Sequence, residues 1–356
     1  MIKNNPFLST EFIKIWCQRF NKNKESFNFI NIAFYKVKRF PIYINTGKNL
    51  TKGISFSTNK NFNTNDFKGK VALIYDVPKY FNINTDTLQK KIGLKKIKQY
   101  TGFLINLKSY SDYSVYTTTA FSKSSNQKLR RYQNRLETCF NISYKMLIGN
   151  ISKDEYNFIF NQFNKLLVKR FEDKQITNNN LSPHEWNFYH DVVYPLILEE
   201  KAGLHVIYNG ETPISIRLLY FSDNIIFDAI TVFDIDYTKF HIGKISIKKM
   251  LEWSFDSHYE VFDFSKGYYD ESWSDLKYDF EYYIFYDKKS LSSNLLANLI
   301  VLFFTTKQYL REKNINIFLH QLTFGLKKTK KQKNTLVSIL NDDEIVIKKD
   351  MLKEVI

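Results

Sequence analysis

The sequence predicts a mixed α+β fold in which a mostly antiparallel sheet is flanked by helices. Two observations carry this prediction. Apolar runs separated by turn signals indicate a meander of strands over residues 203–286. Two helices with clear start signals precede that meander. Since 356 residues are many for one ordinary core, we also expect more than one structural unit.

The strand predictions depend on two short turns. Leu204–Tyr208 ends at Asn209-Gly210, a dipeptide typical of two-residue hairpins. Pro213–Phe221 ends at Asp223-Asn224, and a third strand follows at Ile225–Phe233. The order predicts neighbouring antiparallel strands. Two further segments have strand composition, Tyr259–Phe264 and Tyr282–Tyr286.

Helices are predicted from apolar spacing and from capping sequences. Ser152 and Glu155 form a capping box that opens a helix to about Asp173. Ser182 and Glu185 form a second one, with a proline at the first helical position. The other predicted helices are 122–140, 244–257 and 292–313.

The chain divides into three predicted parts. Residues 1–120 form an N-terminal half, 121–290 a central domain, and 291–356 a last helix with a basic tail at 327–333. In the first part we expect a short helix at Thr10–Phe20 and several strands, at Ile30–Lys38, Pro41–Ile44, Val71–Tyr75 and Phe103–Leu107.

Composition limits the classes of function. The net charge of +16 favours an anionic partner, such as a nucleic acid, a phosphorylated cofactor or an acidic membrane face. The alternative is AT-rich codon usage, because only 8 of the 52 basic residues are arginine. Cys17 and Cys139 cannot form a disulfide framework, and no apolar run reaches membrane-spanning length, so we expect a cytoplasmic protein.

Several common catalytic classes have no motif in this chain. The sequence contains no GxSxG, Walker A or GxGxxG pattern, which argues against esterase, NTPase and dinucleotide-dependent functions. The six histidines lack metal-ligand spacing, so no metal site is predicted.

Four segments together resemble a known superfamily. Phe233–Tyr237, leading to Gly243-Lys244, is similar to a loop and glycine-containing helix start. Asp263–Gly267 is similar to a strand-ending element, Lys128–Arg135 to a basic helix, and Val168–Phe171 to a basic-aromatic helix end. In this order they resemble the GNAT acyltransferases, most closely the CelD/BcsL-type acetyltransferase domain, which is related to FemAB-like transferases. The likeness runs from about residue 122 to 287.

The resemblance implies a tandem GNAT-like fold, with a degenerate copy in the N-terminal half, and acetyl-CoA or another acyl-CoA as donor. A helix N-terminus carries free N–H groups that can hold the donor's phosphates. We therefore predict cofactor binding at Ile242, Gly243, Lys244 and Ile245. The alternative is that Gly243 is a glycine of the helix start without a ligand.

The acceptor side is predicted less directly. Asp263 ends a strand and is a candidate to accept a proton or orient the amine, or alternatively to cap the following turn. Tyr269 is a candidate acid for the leaving thiolate. Arg217, in mid-strand, needs a partner, and Asp228 on the next strand fits, either lining the acceptor site or forming a structural ion pair. The remaining substrate-binding candidates are Arg170, Lys266 (alternatively solvated) and Trp273 (alternatively packed in the core).

The resulting hypothesis is an N-acyltransferase acting by direct transfer on the amine of an amino-sugar or surface-polysaccharide precursor. Two alternatives stay open. One is a FemAB-like transferase that uses aminoacyl-tRNA. The other is a non-catalytic GNAT-shaped protein at a membrane surface, bound through 295–304 and 327–333, which is favoured by Asp270 where the family often has lysine.

Overall fold

A computed structural model describes residues 4–21, 25–37, 40–48, 50–56, 64–176, 178–266 and 272–313. Eleven strands lie within these ranges. They are β1 Ser26–Phe29, β2 Ile32–Lys36, β3 Ile42–Asn45, β4 Val71–Pro78, β5 Gly93–Asn106, β6 Ile142–Leu147, β7 Ala202–Asn209, β8 Thr212–Ser222, β9 Ile225–Phe233, β10 Val261–Ser265 and β11 Leu276–Tyr286.

The eleven strands form one sheet in the order β1-β2-β3-β4-β11-β5-β10-β9-β8-β7-β6. Only β3–β4 and β9–β10 are parallel neighbours. The predicted fold class, a mostly antiparallel sheet flanked by helices, is therefore confirmed. The sheet is continuous across its centre, where β11 lies between β4 and β5.

The predicted hairpins are present. Asn209 pairs with Thr212, and Ser222 pairs with Ile225, so each turn contains two residues. Gly210 has φ +58° and Asp223 has φ +48°, the left-handed conformations that such tight turns need. The two dipeptides therefore fixed the local pairing.

The N-terminal half differs from its prediction. The expected strand at 30–38 is wrong at its start, because Ile30 and Asn31 form the left-handed turn between β1 and β2. β5 extends from Gly93 and is much longer than the predicted 103–107. Its lysine-rich first part has little strand signal, and it is held by pairing with β11. β1 and β6 were also missed.

Eight α-helices lie in the described ranges. They are α1 Thr10–Phe20, α2 Asp86–Lys91, α3 Tyr113–Ala120, α4 Lys123–Cys139, α5 Lys153–Asp173, α6 Pro183–Leu198, α7 Ile242–Asp256 and α8 Leu291–Glu312. Both predicted capping boxes exist: the hydroxyl of Ser152 accepts from the Glu155 N–H at 3.1 Å, and that of Ser182 from the Glu185 N–H at 3.4 Å. α2 and α3 were not predicted. The basic tail at 327–333 lies outside the described residues.

Helices cover both faces of the sheet. α1, α5 and α6 pack on one face through a large aromatic and aliphatic cluster. α3, α4 and α7 cover the other face over β8–β10, and α8 packs on β4, β11 and the first part of β5. Alternate residues of the central strands pack under the helices of the two faces. These strands are therefore buried throughout.

The parallel neighbours β9 and β10 separate after a short contact. They pair only at Val261–Ile225, Phe262–Ile226 and Asp263–Phe227. β9 then continues to Phe233, whereas β10 ends at Ser265, whose φ is +55°. Among the described residues, the backbone of β9 beyond Phe227 therefore has no strand partner on this side, and α7 begins just beyond that end of β9.

Candidate active site

The first predicted site lies at the N-terminus of α7. His241, with φ +55°, precedes the helix, and its carbonyl accepts from the N–H groups of Lys244 at 2.9 Å and Ile245 at 3.2 Å. The N–H groups of Ile242 and Gly243 have no acceptor among the described residues. The side chains of Ile242 and Ile245 are buried in the core, so these two residues offer only their backbones to a ligand.

Cations surround this helix start. Lys244 is exposed, and α4 supplies Arg135, whose guanidinium lies 5.2 Å from the Phe240 ring centroid. His241 stacks against Tyr132 of α4 at 3.8 Å between centroids. Burial and the charges of Lys244 and Arg135 lower the pKa of His241. The local field is therefore positive, and it adds to the positive end of the helix dipole.

Gly243 also has a packing role. A Cβ placed there would lie 2.9 Å from Cε1 of Phe233, closer than real contacts allow. The Arg170 guanidinium covers the Phe233 ring at 4.4 Å, and its Nη1 donates to the Thr231 carbonyl at 3.4 Å. Arg170 was predicted on the acceptor side. The structure instead brings it together with the helix start through Phe233.

The loop between β9 and α7 is anchored to α5. Lys169 Nζ donates to Asp234 Oδ1 at 2.5 Å and to Asp236 Oδ2 at 2.6 Å. The Asp234 carboxylate also accepts from the Asp236 N–H at 3.2 Å. The resemblance motifs of α5 and of this loop are therefore bonded to one another, which fixes the position of the helix start.

The second region surrounds Asp263 at the end of β10. This carboxylate is completely buried, and it accepts from the Tyr278 hydroxyl at 2.6 and 2.7 Å, the Tyr80 hydroxyl at 2.8 Å and the Ser265 N–H at 2.7 Å. Gly102 makes room for the Tyr278 ring, since a Cβ there would lie 2.4 Å from Cζ. Both predicted roles, capping the turn and handling a proton, are compatible with these bonds.

Burial raises the pKa of Asp263 to about 7, although its three donors and the charge of Lys52 oppose this shift. A carboxyl with such a pKa can both take and release a proton near neutral pH. Tyr80 is half-buried, whereas Tyr278 and Asp263 are buried. The Tyr80 hydroxyl is therefore a path by which a proton can leave this pocket.

Two further buried groups lie beside Asp263. Lys52 is within electrostatic range of Asp76, Asp228 and Asp263, and burial lowers its pKa. Asp76 has φ +61° at a bulge of β4, and its carboxylate accepts from Thr51 and Gln99, each at 2.7 Å. A strained, buried and well-bonded carboxylate is unusual in a central strand and is typical of functional sites.

The predicted Arg217–Asp228 ion pair is present. Nη1 of Arg217 donates to Oδ2 of Asp228, and the two side chains are only 2% and 8% exposed. Thr231 donates to the other carboxylate oxygen at 3.0 Å. Burial raises the pKa of Asp228, and the charge of Arg217 opposes that shift. Lys52 is within electrostatic range of both Asp228 and Asp263, so the ion pair and the Asp263 carboxyl act on the same lysine.

The other predicted residues have different positions. Lys266 directly follows β10, and its Nζ lies 5.5 Å from the Tyr100 ring centroid. Trp273 is 5% exposed, packs against Phe121 at 4.8 Å and accepts from the Tyr116 hydroxyl through its carbonyl. The alternative of core packing agrees with this placement. Tyr269 lies outside the described residues.

Sequence reasoning missed Tyr80, Tyr278, Lys52 and Asp76. No short motif marks them, and they come from three distant parts of the chain. Among 24 tyrosines, a hydroxyl that bonds a carboxylate cannot be distinguished without the pairing of β11 with β5. One signal was available: Asp76 is the sole charged residue within the apolar run Val71–Pro78.

Within the described ranges, no three His, Cys, Asp or Glu side chains are grouped so as to hold a metal ion. No described helix is both long enough and apolar enough to cross a membrane.

Comparisons with known proteins agree with this geometry. Residues 123–275 match the family model of the GNAT acetyltransferase domain. The fold is similar to the C-terminal domain of a lysylphosphatidylglycerol synthetase from Agrobacterium fabrum, with TM-score 0.52, 9% identity, and coverage of 84% of this chain and 92% of that one. It is similar to FemX, with TM-score 0.52, 11% identity, and coverage of 79% and 92%. No curated protein matches the sequence.

The family match covers the segments that carry the sequence resemblance on α4, α5, β9 and α7, and it ends within the residues that follow β10. The two structures extend the likeness in fold to both halves of the chain. Residues 123–275 therefore match a GNAT acetyltransferase domain, and the fold of the chain is similar to that of FemX.

Proposed function

We propose that this acyltransferase moves an acyl group from acyl-CoA, in the simplest case acetyl-CoA, to an amine of an amino-sugar or related surface-polysaccharide precursor. Cytoplasmic acyl-CoA is the expected donor pool. The observation that carries the proposal is the arrangement around β9 and β10: a cationic helix start beyond the end of one strand, and a carboxyl with a pKa near 7 at the end of the other.

The helix start supports a site for the donor's phosphates. The N–H groups of Ile242 and Gly243 point out of the first turn, and Lys244 and Arg135 add positive charge. Within the part of the chain that the structure describes, the backbone of β9 beyond Phe227 has no strand partner on the β10 side. The pantetheine arm of CoA is an extended chain with two amides, so it can occupy such a strand edge.

The transfer itself needs proximity, a proton acceptor and a stabilised oxyanion. The amine nitrogen forms a bond to the thioester carbon, the C–S bond breaks, and CoA leaves as a thiolate that takes up a proton. We assign the amine's proton to Asp263, passed through Tyr80, because Tyr80 is half-buried as a residue and its hydroxyl is bonded to the carboxylate at 2.8 Å. Tyr269 stays a predicted donor of the proton to the thiolate.

Calorimetry with acetyl-CoA and with desulfo-CoA tests the donor site. Both ligands should bind the full chain, since the phosphates are common to them. Lys244→Ala should weaken both, whereas the matched variant Lys98→Ala should not, because Lys98 pairs with Asp279 at 2.9 Å far along the sheet. Absence of acetyl-CoA binding, or equal binding by the Lys244 variant, would contradict this donor site.

A FemAB-like, tRNA-dependent transferase is the second candidate. It is favoured by the exposed cations Lys128, Arg130 and Arg131 on α4, together with the charge of +16. Binding that neutralises several phosphates weakens steeply with salt. Charged tRNA should therefore bind with a steep salt dependence if this alternative holds, and acetyl-CoA should not be consumed.

We also propose peripheral contact of α8 with an anionic membrane. The outward face of this helix is apolar although it is exposed, Leu291 being 88% and Leu295 64% exposed, and cations lie at both ends of the helix, including Lys288 and Lys313. The residues of this face are Leu291, Leu295, Leu299, Leu302, Phe303, Tyr309 and Leu310.

Sedimentation with vesicles tests this contact. Vesicles with anionic lipid should bind the protein more strongly than neutral ones, and Leu295→Ser with Leu302→Ser should abolish the binding. Phe158→Ser is a matched control, because Phe158 is 47% exposed on a different helix, α5. Equal binding by all variants, or self-association through α8 without lipid binding, would contradict the proposal.

A further inference from the structure

A cluster of five cations lies apart from the helix start of α7, on the part of the sheet that α8 covers. Lys48 and Lys52 come from the segment between β3 and β4, Lys266 directly follows β10, and Lys307 and Arg311 lie one turn apart on α8. These residues, the five-cation cluster, therefore come from three distant segments of the chain.

Three of the five are held on neighbouring strands. Lys48 Nζ lies 5.1 Å from the ring centroid of Tyr75 on β4. Arg311 Nη1 donates to the carbonyl of Gln99 on β5, and Lys266 Nζ lies over the ring of Tyr100, the next residue of that strand. β11 lies between β4 and β5 and supplies Tyr282. Its ring centroid lies 4.9 Å from that of Tyr75.

The charges of the cluster act on one another. Burial and the charge of Lys307 lower the pKa of Lys48. Burial, and then the charges of Arg311, Lys52 and Lys307, lower the pKa of Lys266. The pKa of Lys307 is lowered by burial and by Arg311. Each cation is therefore within range of another.

Among the described residues, no cation of the cluster forms a direct ion pair. No described carboxylate oxygen lies within 4 Å of a charged nitrogen in any of the five side chains. Asp76, Asp228 and Asp263 are within electrostatic range of Lys52 and offset part of its charge, whereas only other cations act on Lys48, Lys266 and Lys307. Lys98 on the same β5 shows the contrast, because it pairs with Asp279 at 2.9 Å.

Like charges held together and only partly offset by carboxylates destabilise the fold, and such an arrangement is relieved by an anion with several charges. The five side chains also differ in exposure. Lys266 and Lys307 are exposed, whereas Lys48, Lys52 and Arg311 are half-buried. A ligand can therefore enter past the exposed lysines and be desolvated beside Lys52.

We propose that the five-cation cluster binds a phosphate or diphosphate carried by the acceptor. As a statement about the acceptor this rests on the proposed transferase function, whereas the anion site stands on the cluster alone. Lys266 is three residues from Asp263, and Lys52 is within electrostatic range of that carboxyl. An acceptor phosphate held there would keep the attached amine near the Tyr80–Asp263 pair, apart from the donor phosphates at α7.

Inorganic pyrophosphate is the first probe. Titrated by calorimetry into the full chain, first alone and then with acetyl-CoA present to fill the donor site, it should bind. The double variant Lys266→Gln with Lys307→Gln should weaken that binding roughly tenfold or more, because two charged contacts are lost. Lys98→Gln should bind as the parent does. Equal affinity in the parent and the double variant would overturn the site, as would absence of binding by the parent.

A second measurement separates a binding site from a merely structural cluster. Without ligand, the double variant should have a higher thermal midpoint than the parent, since repulsion is removed. Pyrophosphate should raise the midpoint of the parent and leave that of the variant unchanged. A variant that unfolds at a lower temperature, or that is stabilised by pyrophosphate as the parent is, contradicts the proposal.

Two sources of the diphosphate are then compared. A nucleoside-diphosphate amino sugar and a polyprenyl-diphosphate amino sugar in vesicles should each be tried as acceptor, and the one whose acetylation falls in the double variant identifies the source. If pyrophosphate binds through the cluster while acetyl-CoA does not bind at all, the anion site holds and the proposed donor fails. If neither acetylation depends on the cluster, the acceptor assignment is wrong.

Discussion

The helix start of α7 and the pocket of Asp263 are built in opposite ways. The first presents backbone N–H groups and exposed cations, and its core lies within residues 233–245, with α4 and α5 packed beside it. The second consists of side chains from several strands and loops, of which Asp76 and Tyr278 are buried and Lys52 and Tyr80 half-buried.

This difference has energetic consequences. At the helix start water screens each charge, so removing one changes binding only slightly. In the pocket a charge is out of water, so removing its partner leaves an unbalanced buried group. We therefore expect variants of the pocket to have large effects on stability and rate, and variants of the helix start to have small effects on donor affinity.

The largest effect is expected at the buried ion pair. Arg217→Met should lower the free energy of unfolding by roughly 3–5 kcal/mol, because the Asp228 carboxylate stays buried without its cation. Adding Asp228→Leu should restore most of the loss. Denaturant unfolding of the two variants measures both steps. A single variant as stable as the parent would show that the pocket is more hydrated than its burial indicates.

Replacement of the pocket's carboxyl should mainly affect the transfer. Asp263→Asn should reduce the transfer rate about a hundredfold or more, since a positioned proton acceptor contributes on that scale, and leave acetyl-CoA affinity unchanged. Tyr80→Phe should have a smaller effect in the same direction. Steady-state kinetics with Asp279→Asn as control tests this. A proportional loss of donor affinity would move Asp263 to the donor side.

The raised pKa of Asp263 should also make the stability of the protein depend on pH. The folded-state pKa of about 7 exceeds the ordinary value of 3.8, so the folded protein retains a proton that the unfolded chain has lost between these values. Its contribution to stability is present below about pH 4 and is lost as pH rises to 7. Asp263→Asn lacks this loss, so its stability relative to the parent should grow by roughly 3 kcal/mol from pH 4 to 8. A constant difference across this range would contradict the raised pKa.

The smallest effect is expected at the helix start. Lys244→Ala should weaken acetyl-CoA binding by about 1 kcal/mol, because it removes one exposed charge and no N–H donor. Salt should reduce the difference between the variant and the parent. Gly243→Val is a poorer test than the sequence suggests, since its side chain would displace Phe233. If Lys244→Ala lost as much free energy of acetyl-CoA binding as the pocket variants are expected to lose in stability or rate, the helix start and the Asp263 pocket would not differ in the way described.

The sequence predicted those features that depend on neighbouring residues. The hairpins at Asn209-Gly210 and Asp223-Asn224, both capping boxes and the start of α7 are local, and each has its own short signal. Asp263 was also identified, through the family-like strand end. Its hydroxyl partners and Lys52 were not, because they reach it only through the pairing of β11 with β5 and the path of the segment before β4. Such long-range register leaves no trace in a single sequence.

The position of β11 between β4 and β5 also bears on how the chain is made. During synthesis both of these strands leave the ribosome long before residue 276, so each must wait with an unpaired central edge. The central strands of the N-terminal half therefore complete their pairing only after the last strand has been translated, and until then these edges are open to pairing with other nascent chains. The order of the strands thus leaves the edges of β4 and β5 exposed until β11 has been made.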